Sequence, residues 1–274
     1  MRISKSSYEY HRARLGPRDR DADIRAGVVA EFAEGGGAWG YRTVWARLRR
    51  GGVRCSEKRV LRVMREEGLE VVYARRRRRP WSSYAGERAP APPNLVARRF
   101  RADAPDELWL TDITEFRLPS GEKAYLSAVV DCFDGMPAAW RIGLRPDAEL
   151  ANSSLEAACA TLARGERPWC HSDRGCHYRW PGWKAICEAH GIARSMSRKG
   201  RSPDNAAAEG FFGRLKNEFF HGRDWRGVAA EELAERLDGW MRVYREGRLK
   251  LFDDGEGKYY DTIDGRRRRL GLAA

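Results

Sequence analysis

The segment from Ala124 to Asp131, with the sequence Ala-Tyr-Leu-Ser-Ala-Val-Val-Asp, constrains the fold more than any other part of the chain. It has the length of a β-strand and is almost continuously apolar, so it does not alternate between a buried and a solvated face. This pattern predicts a strand that is buried on both faces. Such a strand needs cover on both sides of its sheet, and the segment therefore indicates an α/β fold.

The segments around this strand have alternating strand and helix patterns. Strands are predicted on either side of it, at 107–116 and 138–144, which makes a three-stranded meander. The patterns that follow are helix, strand, helix, strand and helix, at 148–162, 169–173, 183–190, 193–196 and from 202 onward. The chain therefore predicts a mixed five-stranded sheet flanked by helices.

The last of these helices carries an acid on its polar face. Ser202 and Pro203 favour the start of a helix. A helix that starts there has a polar face with Asn205, Glu209, Phe212 and Lys216 and an apolar face with Ala208, Phe211, Leu215 and Phe219. Asn205 either orients Glu209 from one turn away or belongs to the helix start, and we favour the second interpretation.

Positive charge is concentrated in the first part of the chain. Residues 1–100 hold 24 lysines and arginines against 11 acids, whereas residues 101–274 hold 28 of each, so the whole net charge of +13 lies in the first hundred residues. A basic segment followed by a neutral, acid-rich one indicates a polyanionic partner. It favours a nucleic-acid enzyme whose active site is built from carboxylates.

Three short helical patterns in the basic region fit a helix-turn-helix module. They start at about Asp21, Tyr41 and Ser56 and are separated by glycine breaks. The third helix exposes four cations that we expect to contact DNA phosphates or a major groove, namely Lys58, Arg59, Arg62 and Arg65. The alternative is a solvated helix face without a partner.

Five consecutive arginines at 75–79 and a proline-rich stretch follow, which together predict an extended linker. Arg75, Arg76 and Arg77 are expected to track DNA phosphates, although such a run is often only a solvated spacer. We therefore divide the chain into a basic N-terminal segment (1–20), a helix-turn-helix DNA-binding module (21–74), an Arg/Pro-rich linker (75–100), a catalytic core (101–221) and a C-terminal helix with a basic tail (222–274).

Membrane insertion and export are not indicated. No apolar run approaches the roughly 20 residues of a membrane-spanning helix, and the N-terminus lacks the apolar core of a signal peptide, so we expect a cytoplasmic protein. The six cysteines lack close paired spacing, which favours reduced thiols over disulfides. Cysteines and histidines cluster at 170–190, but small buried thiols explain them better than a zinc site does.

Three carboxylates can meet in the predicted fold. Asp112 and Asp173 hold comparable positions on their strands, and Glu209 projects from a helix close behind the sheet. Hard oxygen ligands of this kind bind Mg²⁺, and a pair of such ions activates a nucleophile and stabilises the leaving oxygen at phosphorus. The competing interpretation is that each is an ordinary solvated acid, one among 39 in the chain.

The same residues carry a resemblance to a known family. The strings Trp-Leu-Thr-Asp-Ile-Thr (109–114), His-Ser-Asp-Arg-Gly (171–175), Asp-Asn-Ala (204–206) and Glu-Gly-Phe-Phe (209–212) follow in the family's order, with 35 residues between Asp173 and Glu209. In these motifs and this spacing the chain resembles the second-frame (OrfB-type) transposases of bacterial insertion sequences, which have a retroviral-integrase-like DDE core.

The resemblance implies a ribonuclease-H-like fold and a set of residue roles. Asp112, Asp173 and Glu209 would be the catalytic residues and would bind two Mg²⁺ or Mn²⁺ ions per site. Lys216 would hold the DNA end, and the basic helices would match the helix-turn-helix region that precedes the core. The implied partners are double-stranded DNA at the element ends and the target, and other copies of the chain on that DNA.

The resemblance also implies the reaction and its setting. Water first exposes a 3′-hydroxyl at an element end, and that hydroxyl then attacks another phosphodiester without a covalent protein intermediate. Such proteins are commonly made as a frameshift fusion with an upstream-frame protein, and we expect this one to act at the bacterial nucleoid.

Two departures and two alternatives remain open. The chain has Cys176-His177-Tyr178 where the family has Ser-Gln-Tyr. Near the C-terminus, the family's usual Ser-Pro ending is replaced by residues 261–265 and four arginines (266–269), which either bind DNA or are merely solvated. A ribonuclease-H-like nuclease would share the acids but would hydrolyse without strand transfer. A non-catalytic DNA-binding regulator would explain the basic region alone.

Overall fold

The computed structural model describes residues 4–6, 8–9, 19, 21–71, 91–199, 201–255 and 257–272. The chain divides into two compact units, residues 1–72 and 73–274. The predicted arm with Arg75, Arg76 and Arg77 lies outside the described residues. The finer division at 20, 74, 100 and 221 stays a prediction.

Within residues 21–71, the first unit forms a bundle of three short helices, as the glycine breaks predict. They are α1 (Ala22–Glu34), α2 (Tyr41–Arg50) and α3 (Glu57–Glu66). Their apolar stripes meet in one small core of Ile24, Val28, Val44, Leu48, Val60, Val63 and Met64. The helices are short, so packing of these stripes rather than helix propensity holds the unit together.

The second unit is built on a mixed five-stranded sheet. Its strands are β1 (Leu108–Arg117), β2 (Lys123–Asp131), β3 (Pro137–Gly143), β4 (Trp169–Ser172) and β5 (Ala193–Met196), in the spatial order β3-β2-β1-β4-β5. β2 is antiparallel to both β1 and β3, whereas β4 is parallel to both β1 and β5. This is the predicted ribonuclease-H-like arrangement.

Helices cover both faces of the sheet. They are α4 (Ala148–Cys159), α5 (Pro181–Ala189), α6 (Ala206–Leu215) and α7 (Ala230–Glu246), and a small hairpin of β6 (Lys250–Asp253) and β7 (Lys258–Asp261) leads to α8 (Ile263–Arg269). One apolar cluster includes Leu126, Ala128 and Val130 with α6 and α7. The other includes Val129 with α4 and α5. Opposite faces of β2 thus bury their side chains in different layers, as its sequence predicts.

Helix α6 differs in detail from its prediction. A 3₁₀ turn, Ser202–Asn205, precedes it, and a π-helical turn, Lys216–Phe220, follows it. The predicted apolar face of Ala208, Phe211, Leu215 and Phe219 is buried, but Phe212, which we expected on the polar face, is only 6% exposed. Phe212 belongs to the same cluster as Phe211 and α7, so a second helix covers part of the face that was expected to be polar.

The arginine-rich C-terminus folds onto the core. Arg267 is buried and donates hydrogen bonds to Asp134 at 2.8 Å and to Asp131 at 2.6 Å. Arg266 lies over the ring of Phe133, with 4.2 Å between its Cζ atom and the ring centroid. Part of the basic tail is therefore used inside the molecule, which neither of the two interpretations of the sequence anticipated.

Two exclusions made from the sequence can be compared with the structure. No helix among the described residues is both long and apolar enough to span a membrane. All six cysteines are free thiols, as predicted, and Cys159, Cys170 and Cys187 are buried in one apolar cluster.

Candidate active site

Asp112 lies on β1, and Asp173 directly follows the neighbouring parallel strand β4 at the same level of the sheet. The register of β1 and β4 pairs Thr111 with Ser172, so the next residue in each chain segment is one of the two acids. Adjacent strands are about 4.8 Å apart. The sheet therefore brings these two carboxylates together, as their positions in the sequence predict.

Backbone amides fix both carboxylates. Asp112 Oδ1 accepts a hydrogen bond from the amide of Ile113 at 2.8 Å, and Asp173 Oδ1 accepts one from the amide of Gly175 at 2.7 Å. A Cβ atom at position 175 would lie 2.9 Å from Asp173 Oδ1. The glycine of the His-Ser-Asp-Arg-Gly string is needed here because the carboxylate approaches the backbone so closely.

The start of α6 brings Asn205 and Glu209 close to the carboxylate of Asp112. Asn205 stands at the helix start, as predicted, but its side chain makes no cap hydrogen bond. Its Nδ2 atom instead donates a hydrogen bond to Asp112 Oδ2 at 3.4 Å. Glu209 lies in the first turn of α6, where the helix dipole favours a negative charge. The helix start therefore carries one group that supports Asp112 and one that repels it.

The acids repel each other. The pKa of Asp112 is raised from 3.8 to about 8, first by desolvation, then by the charge of Asp173 and more weakly by that of Glu209. Desolvation also raises the pKa of Asp173, while the hydrogen bond from Gly175 acts in the opposite direction. Binding of a cation would relieve the repulsion and favour the ionised form of both carboxylates.

The donor atoms at this place suit a hard divalent cation. Carboxylate and amide oxygens are the ligands that Mg²⁺ and Mn²⁺ prefer. The Oδ1 atom of Asn205 is buried and has no hydrogen-bond partner among the residues that the structure describes. A cation beside Asp112 would supply such a partner, so the residues present fit the metal that the sequence predicts.

The three acids do not form a closed cage. Within the described part of the chain, no three side chains of His, Cys, Asp or Glu are close enough to hold one metal ion. This holds for the predicted triad and for the cysteines and histidines at 170–190. The structure thus brings Asp112 and Asp173 together and keeps Glu209 within electrostatic range of Asp112, and the assignment of all three as metal ligands stays a prediction.

Lys216 is half-buried at the start of the π-helical turn that follows α6. Its ammonium group lies 5.6 Å from the centroid of the Phe116 ring. Desolvation lowers the pKa of Lys216, and the negative charges of Asp112 and Glu115 offset this in part. The lysine therefore lies in the electrostatic field of the acids, which is compatible with the predicted contact to a DNA end.

Comparison with known proteins identifies two domain families in the chain. The family model described as "Integrase core domain" matches residues 102–202, and the one described as "HTH-like domain" matches residues 18–78. The putative transposase InsK of insertion sequence element IS150 from Escherichia coli K12 is 35% identical over 249 residues, which cover 91% of this chain and 86% of that protein. The chain belongs to the insertion-sequence transposases. The members of this family are DNA transposases, which are enzymes of the polynucleotidyl transferase class.

A second relative is more similar in sequence but much longer. The probable transposase of insertion sequence element IS1353 from Shigella flexneri is 47% identical over 251 residues, which cover 92% of this transposase but 48% of that protein. The chain thus spans about half the length of this curated relative. Among solved structures, the magnesium complex of the HTLV-2 integrase catalytic core domain covers 55% of this chain and 93% of that chain at 15% identity, with a TM-score of 0.41.

The sequence did not indicate the role of Asp204, a buried acid in the transposase core that accepts several hydrogen bonds. Asp204 is completely buried and accepts hydrogen bonds from Arg98 at 2.7 Å, Arg198 at 2.8 Å and Asn94 at 3.0 Å. The two arginines hold the pKa of Asp204 far below its usual range. Because Asp204 directly precedes Asn205, this cluster fixes the backbone that leads into α6. Its place in the Asp-Asn-Ala string was the one available signal.

His171 fixes the other side of the same backbone. The carbonyl oxygen of Asp204 accepts a hydrogen bond from Nε2 at 2.8 Å, so the proton of the neutral ring lies on Nε2. Nδ1 therefore accepts a hydrogen bond from the hydroxyl of Ser195, 2.8 Å away. The histidine of the His-Ser-Asp string thus ties β4 to β5 and to the start of α6, two residues before Asp173.

The cations predicted to bind DNA on α3 are of two kinds. Lys58 and Arg65 are exposed. Arg59 and Arg62 both donate hydrogen bonds to the buried carboxylate of Asp21, at 2.7 and 2.5 Å. These two arginines fasten α3 to the start of α1, a role that the charge pattern did not reveal, and the predicted DNA contacts of all four cations stay predictions.

Proposed function

We propose that this transposase catalyses metal-dependent cleavage at insertion-sequence ends and strand transfer into target DNA. The observation that carries the proposal is that Asp112 of β1 lies beside Asp173, which directly follows the parallel strand β4, with Glu209 within electrostatic range of Asp112. Carboxylates that repel one another at neighbouring strands of a nucleic-acid enzyme favour cation-assisted chemistry at phosphorus. They do not favour a mechanism in which a side chain is the nucleophile.

Asp112, Asp173 and Glu209 would hold Mg²⁺ or Mn²⁺, two ions per site. The ions would supply Lewis-acid stabilisation of charge at the phosphate and activation of water or of a 3′-hydroxyl. Asn205 orients Asp112 through its amide, and Gly175 orients Asp173 through its backbone. Lys216 holds the phosphate of the DNA end close to the acids, where its positive charge offsets theirs.

The proposed partners and setting follow from the family. We infer that the protein acts on double-stranded DNA at element ends and target, as a homo-oligomer assembled on that DNA, at the nucleoid in the bacterial cytoplasm. Lys58, Arg59, Arg62 and Arg65, together with Arg75, Arg76 and Arg77, supply contacts to phosphates. An upstream-frame protein joined by frameshifting supplies additional recognition of the ends.

Substitution of Asp173 by Asn tests the catalytic assignment. Mutation of a residue that supports a metal ligand typically lowers metal affinity or activity roughly 10- to 100-fold. Loss of a ligand itself should have a larger effect, so Mg²⁺-dependent cleavage and joining of end DNA should fall by more than about 100-fold. Binding of the same DNA should persist. The matched control is Glu188→Gln, which removes one negative charge from an exposed position on α5 and should leave both reactions unchanged.

The products separate the competing functions. Joining retained by Asp173→Asn would contradict the proposed mechanism. A wild-type protein that hydrolyses ends but forms no joined product would be a ribonuclease-H-like nuclease. A protein that binds DNA without either reaction, in Mg²⁺ and in Mn²⁺, would be a non-catalytic regulator.

A further inference from the structure

A concave surface at the start of β4 has the chemistry of a nucleic-acid site that the proposed mechanism does not use. A cavity of about 520 Å³ lies between the segment before β1 and the residues that lead into β4. Three arginines and one tryptophan line it, namely Arg99, Arg101, Arg167 and Trp169. We call this surface the Arg–Trp cavity.

The three arginines outnumber the single acid in the cavity lining. All three are exposed, and their guanidinium groups make no ion pair or hydrogen bond with any residue in the described part of the chain. The one acid in the lining, Glu107, accepts hydrogen bonds from the backbone amides of Asp103 and Ala104, at 2.9 and 3.1 Å. Its carboxylate therefore holds the loop of residues 103–107 together. A concave wall with unpaired cations concentrates positive potential and attracts an anion.

Trp169 offers an aromatic face beside these cations. It is 46% exposed, whereas Trp109 and Trp183 are almost completely buried. Its backbone is held rigidly, because its amide donates a hydrogen bond to the carbonyl of Glu107 at 2.9 Å and its strand pairs with β1 and β5. An exposed indole on a rigid strand is a platform for stacking rather than part of the core.

The turn that presents Arg99 is fixed in an unusual conformation. Ala97 and Arg98 have positive φ angles of 50° and 71°, which side chains other than glycine rarely adopt. The turn persists because Asn94 accepts a hydrogen bond from the amide of Ala97 at 2.8 Å and Arg98 binds Asp204 at 2.7 Å. Arg98 is thereby held against Asp204, whereas Arg99 lines the cavity.

We propose that the Arg–Trp cavity binds a DNA strand, with phosphates on the three arginines and an unpaired base stacked on Trp169. Arginine matches the geometry of phosphate, and an aromatic ring stacks on any base. The volume lies in the range of about 300–1,000 Å³ that suits a ligand of nucleotide size. The proposal rests on DNA being the substrate under the proposed function.

The cavity is a contact separate from the acids. Trp169 opens β4 and Asp173 directly follows its last residue, so at about 3.3 Å per residue the two are about 13 Å apart along the strand. A DNA strand on Trp169 therefore lies beyond the reacting phosphate. The contact would hold flanking or target DNA in place while the reaction takes place at the acids.

Binding of a fluorescein-labelled, single-stranded oligothymidylate to the full chain tests the proposal. Metal is removed with a chelator, so that cleavage plays no part. The triple variant Arg99→Gln, Arg101→Gln, Arg167→Gln should bind at least about 10-fold more weakly, and the slope of log affinity against log salt should fall by about 2, at roughly 0.7 for each lost phosphate contact. Trp169→Ala should weaken binding about 10-fold with an unchanged slope.

The matched control is Arg226→Gln, Arg236→Gln, Arg242→Gln, which removes three exposed arginines that form surface ion pairs. It should bind as the wild type does. Equal losses in the control and the cavity variant would overturn the proposal, as would unchanged binding by the cavity variant. Polyglutamate serves as a second probe. If the cavity variant loses binding to polyglutamate but binds oligothymidylate normally, the cavity binds an acidic protein and the proposal is overturned. Because the readout is metal-free binding, failure here leaves the test of Asp173 unaffected.

Discussion

Asn205 shows how one residue can be placed correctly from sequence while its contact is not. The Pro203 start signal puts it at the beginning of a helix, and the structure agrees. Its hydrogen bond to Asp112 joins residues that are 93 positions apart, and no local pattern encodes such a pair. The amide is well suited to this position because it donates to a carboxylate without adding charge.

Replacement of Asn205 by Asp removes that advantage. The new carboxylate would stand where an amide now donates to Asp112, in a place that already holds mutually repelling acids. We expect the metal-free protein to lose about 1–3 kcal/mol of unfolding free energy at neutral pH, and added Mg²⁺ to restore part of it. Thermal melting with and without Mg²⁺ measures both effects.

Asn217→Asp is the matched control for this prediction. It makes the same chemical change in the π-helical turn after α6, at a partly exposed position. It should melt close to the wild type in both conditions. An Asn205→Asp protein as stable as the control without metal would show that the acids do not repel as the structure indicates.

At the scale of elements, the periodic segments were predictable and the connections between them were not. The continuous apolar run of β2 and the apolar face of α6 follow from local spacing, so both were found. Asp204 accepts hydrogen bonds from Asn94 and Arg98, which lie in a segment that the sequence assigned to a linker. A linker composition carries no periodicity, and its contacts appear only when the chain is folded.

The docking of α3 on α1 gives a pH-dependent prediction. Hydrogen bonds from Arg62 and Arg59 lower the pKa of Asp21 from 3.8 to about 2. Because the folded value lies below the unfolded one, the ion pairs stabilise the fold fully above about pH 4, and this contribution is lost as the pH falls towards 2. Asp21→Asn should therefore destabilise the first unit by about 2 kcal/mol at neutral pH and by little at pH 2.

Denaturant titrations of the wild type and Asp21→Asn between pH 2 and 7 measure this difference. Asp23→Asn is the control, because Asp23 pairs with Arg59 through a carboxylate that is 62% exposed, and exposed pairs contribute little. A gap between wild type and Asp21→Asn that stays constant down to pH 2 would contradict the assigned ion pairs.

At the scale of the whole molecule, sequence reasoning predicted the fold and the closeness of Asp112 to Asp173 but did not anticipate the internal role of Arg267 near the C-terminus. The mixed sheet, the helical N-terminal unit and the meeting of Asp112 with Asp173 follow from element order and strand position. For the arginines at 266–269 the sequence left two roles open, DNA binding and simple solvation. Arg267 instead reaches acids 133 and 136 positions away, which composition cannot reveal.

Arg267 therefore provides the test of how the C-terminus is used. Arg267→Gln leaves the buried carboxylates of Asp131 and Asp134 without their cation, so the second unit should lose about 3–5 kcal/mol of unfolding free energy. Arg267→Lys should restore little of this stability, because an ammonium group cannot bridge two carboxylates as the guanidinium does.

Arg268→Gln, at an exposed position of the same helix, is the control and should unfold like the wild type. Urea titration followed by tryptophan fluorescence measures all three. If Arg267→Gln instead keeps full stability and weakens DNA binding, the C-terminal helix is a DNA-binding arm and not an anchor.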